Sequence, residues 1–122
     1  MIVSDASPLI VLLKTNKLSI LEKLFKKILI PEAVYKEITA KHHEKLVFEK
    51  LEWIETRKVG NAETVAFLEK LIDSGEAEAI ILAKESKATL IVDDAKARRY
   101  AKLLNVEVMG TLGLLKMAKT AV

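Results

Sequence analysis

Short, continuous apolar runs punctuate this chain, and stretches with a helical hydrophobic period separate them. Ile2–Ser4 opens the series, and Ile28–Ile30, Thr89–Val92 and Val106–Met109 repeat the theme. Runs this short, with little polar alternation, predict strands buried on both faces of a parallel sheet. Trp53–Val59 alternates instead, which predicts a strand nearer an edge. The intervening periodicity predicts helices over Pro8–Lys14, Leu18–Phe25, Pro31 to about His42, Ala62–Ile72, Glu76–Ser86, Ala95–Leu104 and Thr111–Thr120. A polar stretch with further helical character runs on to Lys50. Strands alternating with helices imply an α/β fold, a parallel sheet with helices on both faces.

The junctions carry punctuation of their own. Ser7 suits a helix N-cap and Pro8 the first helical position, where its missing N–H has no partner to lose. Pro31 suits the same position in its helix, Gly60-Asn61 marks a turn and a cap, and Asp73-Ser74-Gly75 breaks the chain before the next helix. No Gly/Ser/Pro-rich linker, repeat or low-complexity tract divides the chain, so residues 1–122 are expected to form one domain.

Composition changes this picture in three places. Aromatic residues make up 5% of the chain, so the core must be aliphatic. Cysteine is absent, which excludes disulfides and thiolate metal sites and makes the cytoplasm the default expectation. No basic leader precedes an apolar core, and no stretch reaches membrane-spanning length, so neither a signal peptide nor a membrane anchor is expected. The net charge of +3 and pI of about 9.1 suit a nucleic-acid partner but equally suit many enzymes without one.

The candidate chemistry lies in acids that the local structure does not require. With Ser7 and Pro8 starting the first helix, Asp5 is left at the C-terminal tip of an apolar strand, where open α/β sheets bind ligands. Glu37 falls inside the apolar arc of its helix, at about 40° from Ala33 when each residue advances about 100°. Its plain structural alternative is an edge acid paired with Lys41. Glu76 heads the apolar face of its helix, or else simply complements the helix dipole, while Glu78 falls on the solvent face. Asp93-Asp94 follows a strand and precedes a helix; one acid suffices as N-cap, and Asp93, nearer the strand, is the favoured functional one, with Asp94 the alternative. Carboxylates gathered at one sheet edge repel, and a divalent cation with a taste for oxygen, Mg²⁺ or Mn²⁺, resolves that. Such an ion activates a bound water for phosphodiester hydrolysis. Zinc would want Cys or His, and the adjacent pair His42-His43 reads as surface.

In those same pieces the sequence resembles the PIN-domain family of Mg²⁺/Mn²⁺-dependent ribonucleases, which includes the VapC toxins of toxin–antitoxin pairs. The pieces are residues 2–9 around Asp5, 31–38 around Glu37, Gly75–Ile80 and Leu90–Asp94, and residues 106–113 resemble the last strand of a PIN-like subgroup. The resemblance implies a three-layer α/β/α sandwich around a parallel sheet of about five strands. It puts the family's acids on Asp5, Glu37, Glu76 and Asp93 or Asp94, with Glu78 competing for the third place, and matches Ser7 to a hydroxyl near the metal. It further implies RNA as substrate, an antitoxin protein as partner and a homodimer.

Basic residues follow the proposed site. Lys96, Arg98, Arg99 and Lys102 lie on the helix after Asp94, and Lys14 and Lys17 follow the first helix; Lys14, Arg98 and Arg99 are the candidates for holding a phosphate backbone. Two competing readings stand beside the ribonuclease. One is a catalytically silent PIN-like module that binds RNA or a protein. The other is a haloacid-dehalogenase-type phosphatase, which would want a second Asp where this chain has Ser7.

Overall fold

A computed structural model describes residues 1–120. The element order is β1 (Ile2–Ser4), α1 (Ala6–Lys14), α2 (Ser19–Phe25), β2 (Ile28–Pro31), α3 (Glu32–Ile38), α4 (His42–Phe48), β3 (Ile54–Arg57), α5 (Ala62–Leu68), α6 (Ser74–Ser86), β4 (Thr89–Ile91), α7 (Ala95–Leu103), β5 (Val108–Met109) and α8 (Thr111–Thr120). The five strands form one parallel sheet in the order β3-β2-β1-β4-β5. The chain winds outward from β1 to β3 and then crosses back to add β4 and β5 on the other side of β1. The order therefore reverses between β1 and β4, the crevice where such sheets bind ligands.

The aliphatic runs behave as a doubly covered sheet demands: Val3, Ile28, Ile30, Leu90 and Ile91 are fully buried. β3 is half-buried and lies at the edge, as its alternation predicts. Helix α6 is apolar on nearly every side, with Ala77 and Ala79–Ala83 all buried, so it packs as a core element rather than a surface one. Among the described residues no helix is long and apolar enough to cross a membrane.

Three junctions differ from the sequence reading. Helix α1 begins at Ala6, which puts Asp5, not Ser7, in the extended N-cap position. Pro8 then sits at the third helical residue, still inside the first turn where a missing N–H has no intrahelical partner to lose. Ser7 is exposed and caps nothing. The helix expected from Pro31 to about His42 ends earlier, at Ile38, and the polar stretch with helical character that follows is α4. Asp73 supplies a complete capping box for α6, accepting from the Glu76 N–H at 2.8 Å while Glu76 Oε1 accepts from the Asp73 N–H at 3.3 Å.

Candidate metal and nucleic-acid site

Asp5 leaves β1 at the point where the strand order reverses. Its N–H donates to the Ile91 carbonyl at 3.0 Å, so the backbone is tied to the end of β4. The residue is 6% exposed, and its side chain makes no capping hydrogen bond to α1. Burial pushes its carboxyl up to about 7; the neighbouring Ala6 N–H opposes the rise, and the negative charges of Glu76, Asp73 and Glu37 add to it.

The other acids arrive on helices whose ends point to the same edge. Because α6 runs back toward the start of β4, its N-terminus lies over the C-terminal end of the sheet and delivers Asp73 and Glu76. The capping box fixes both side chains. Burial raises the Glu76 carboxyl, and Asp73, Asp94 and Glu37 raise it further. Glu37 comes from α3, which follows β2. The residue as a whole is well exposed, so the apolar-arc reading overstated its burial. Its carboxylate nonetheless lies against α6: a Cβ added to Gly75 would sit 3.1 Å from Glu37 Oε1 and 3.6 Å from Asp73 Oδ1. Partial burial and Asp73 push the Glu37 carboxyl up. No pairing with Lys41 forms. The three ion pairs among the described residues are Lys27–Glu55, Lys45–Glu49 and Arg57–Glu55, all away from these acids.

One of the two adjacent acids is the N-cap, as expected, and the other has a partner of its own. Both oxygens of Asp93 are engaged by Thr111, Oδ1 by its N–H at 2.7 Å and Oδ2 by its hydroxyl at 2.6 Å, so Asp93 fastens the start of α8 to the β4–α7 turn. Asp94 is the N-cap of α7, its Oδ1 accepting from the Ala97 N–H at 2.8 Å, and its charge is the one that reaches Glu76. Of the two, Asp94 is the one whose charge reaches the cluster, through Glu76. Glu78 does not lie on a solvent face: it is half-buried, and its Oε1 accepts from the Ala33 N–H at 3.1 Å. Asp73 is the acid that sequence reasoning missed. The spacing Asp-x-x-Glu over 73–76 was the available signal, since it is a capping-box pattern.

These residues suit a hard divalent cation by donor type and by charge: carboxylate oxygens, one of them buried, with no Lys or Arg paired to them. Among the described residues, no three His, Cys, Asp or Glu side chains already stand close enough to hold an ion. An ion such as Mg²⁺ keeps several waters and takes only one or two carboxylates, so a closed protein cage is not required. His42 and His43 are exposed on α4, as expected of surface residues.

A basic groove adjoins the acids. Asp93, Ala95, Arg98, Arg99, Lys102 and Leu103 line a depression of about 650 Å³ along α7. Arg98 is half-buried, and a Cβ on Gly110 would lie 2.7 Å from its Nη1, so Gly110 leaves room for the guanidinium beside Asp93. Lys14 is different. It occupies the last turn of α1, about 12 Å of helix from Ala6 at about 1.5 Å per residue, toward the opposite end of the sheet. Lys17 follows it in the turn after α1.

Comparison with known proteins agrees with this architecture. The family model DUF3368, a PIN domain, matches residues 1–121. The chain belongs to the PIN-domain family. A PilT N-terminus domain protein from the hyperthermophilic archaeon Sulfolobus solfataricus P2 has a similar structure, with a TM-score of 0.63 over 97% of this chain and 93% of that one, at 22% identity. Among curated proteins no relative matches. PIN domains are generally nucleases that use divalent metal ions.

Proposed function

We propose that this PIN domain is a Mg²⁺- or Mn²⁺-dependent endoribonuclease. The observation that carries the reading is Asp5: a buried carboxylate at the strand-order reversal, surrounded by further acids and by no paired cation. Unpaired buried charge is costly, and a resident cation removes the cost. Asp5 would hold the ion with Glu76, while Asp94, Glu37 and Asp73 complete the acidic wall through waters. A bound ion of this kind lowers the pKa of its water and stabilises charge on a phosphoryl oxygen. The chain's own contribution is positioning. The capping box holds Glu76 in one orientation, and Arg98, Arg99 and Lys102 receive the phosphates flanking the scissile one without reading bases.

We place the enzyme among toxin-type ribonucleases in the cytoplasm, with single-stranded RNA as substrate and a cognate antitoxin as partner. The decisive experiment is cleavage of single-stranded RNA by the purified chain with Mn²⁺, alongside Asp5→Asn. Cleavage that disappears with EDTA and in Asp5→Asn supports the reading. Cleavage that survives the substitution undiminished comes from another site, and RNA binding without cleavage identifies the silent module instead.

A further inference from the structure

Glu78 occupies a position that the capping of its own helix does not explain. It lies two residues beyond Glu76 on α6, near the middle of the sequence run that the family shares, yet its carboxylate crosses to another helix. Its Oε1 accepts from the Ala33 N–H, in the first turn of α3. The first turn of any helix leaves N–H groups without intrahelical partners. Helix α3 has no cap of its own to serve them, because its N-cap residue is Pro31, which carries no acceptor in its side chain. Glu78 therefore caps α3 from outside.

Ala33 and Glu37 are one turn apart on α3, so they share a face. Glu76 and Glu78, two residues apart on α6, lie on different faces of that helix. One hydrogen bond from Glu78 to Ala33 ties the two helices one turn from Glu37, whose Oε1 lies against Gly75 of α6. Gly75 completes the contact: a Cβ there would stand tightly, at 3.1 Å, against Glu37 Oε1 and in ordinary contact, at 3.6 Å, with Val34 Cγ2. A direct ligand is the alternative role for Glu78, since it lines one depression with Glu37 and Asp73. Its charge is not among those that raise the carboxyls of Asp5, Glu37 or Glu76.

We propose, resting on the metal-site reading above, that Glu78 is a positioning residue: it locks α3 onto α6 through the Ala33 N–H and thereby sets where Glu37 stands in the acid pocket. The role needs an acceptor oxygen and not a negative charge, which separates it from metal ligation. Glu85 supplies a matched control. It too is an α6 carboxylate that accepts backbone N–H groups from elsewhere, those of Gly60 at 3.0 Å and Asn61 at 2.8 Å, but at the other end of the helix.

The test is Mn²⁺ titration of the full chain by calorimetry for the wild type, Glu78→Ala, Glu78→Gln and Glu85→Ala, with thermal melts of each. Loss of an outer-shell partner typically weakens metal binding at least about tenfold, and that is the expectation for Glu78→Ala. Glu78→Gln keeps an acceptor and should bind close to the wild type. Glu85→Ala should melt earlier yet bind Mn²⁺ unchanged. If Glu78→Gln binds as poorly as Glu78→Ala, Glu78 is a ligand and the proposal is wrong. A wild type that binds no Mn²⁺ sinks the metal-site reading and this proposal with it, whereas wild-type binding unchanged by Glu78→Ala sinks this proposal alone. In metal-free protein, an Ala33 amide proton resonance that does not move in Glu78→Ala would equally overturn it.

Discussion

Replacing Asp5 by Asn should stabilise the metal-free protein at neutral pH, although it removes the residue on which activity depends. In the folded chain the Asp5 carboxyl titrates at about 7 because burial and the nearby acids disfavour its charge; unfolded, it returns to 3.8. Between those values the folded state holds a proton that the unfolded state has released. Stability must then fall as pH rises from about 4 to about 7, and level off above. At about 1.4 kcal/mol per pH unit, the loss reaches at most about 4 kcal/mol, a large part of a small domain's stability. Asn mimics the protonated acid and has nothing to titrate. Urea unfolding in EDTA at pH 5 and pH 8 measures the effect. Asp5→Asn should be the more stable by about 2 kcal/mol at pH 5 and by about 4 kcal/mol at pH 8, so the gap widens as the pH rises. Using the difference between variants cancels Glu37 and Glu76, whose raised carboxyls act in the same direction. Saturating Mg²⁺ should close the gap by stabilising only the wild type. A wild type as stable at pH 8 as its Asn variant, without metal, would refute the reasoning.

Other substitutions separate the parts of the site. Asp94→Asn should reduce RNA cleavage at least about tenfold more than Asp93→Asn, since a metal-facing carboxylate is lost only in the first. Thr111→Val, which removes the hydroxyl bond to Asp93, should cost about 1 kcal/mol in urea unfolding and leave Mn²⁺ affinity alone. Gly75→Ala meets the far end of the Glu37 side chain rather than backbone, so its melting temperature should hold while Mn²⁺ affinity falls. Arg98→Glu with Arg99→Glu should weaken RNA binding and flatten its dependence on salt by about one to two in slope, whereas Lys14→Glu, at the far end of α1, should change neither.

The sheet was legible because its strands are short aliphatic runs that only a doubly covered parallel sheet accommodates, and because alternation in β3 marked an edge. Asp5 was legible for a partly mistaken reason. Ser7 and Pro8 resemble a helix start, but the chain turns helical one residue after Asp5, and the proline is tolerated anywhere in that first turn. The acid's importance comes instead from where β1 lies in the strand order, and no local pattern reveals that order. The same holds for Asp93 and Asp94. Adjacent in sequence, they are told apart by Thr111, 18 residues after Asp93, which takes both oxygens of one and leaves the other to face Glu76. Helical wheels placed Glu78 in solvent because they describe one helix at a time, and α3 covers that face. Asp73 shows the opposite case, a signal present in the sequence and passed over because Ser74-Gly75 also reads as a break.

The central claim is that the acids at the β1/β4 crevice hold a divalent cation. Calorimetric titration of the wild type and Asp5→Asn with Mn²⁺, at pH 6 and pH 8, tests it most directly. The wild type should bind Mn²⁺, and more tightly at pH 8, where Asp5 has lost its proton, whereas the variant should bind weakly at both and gain less from the rise in pH. Absence of binding at millimolar Mn²⁺, or equal binding by both proteins, would contradict it.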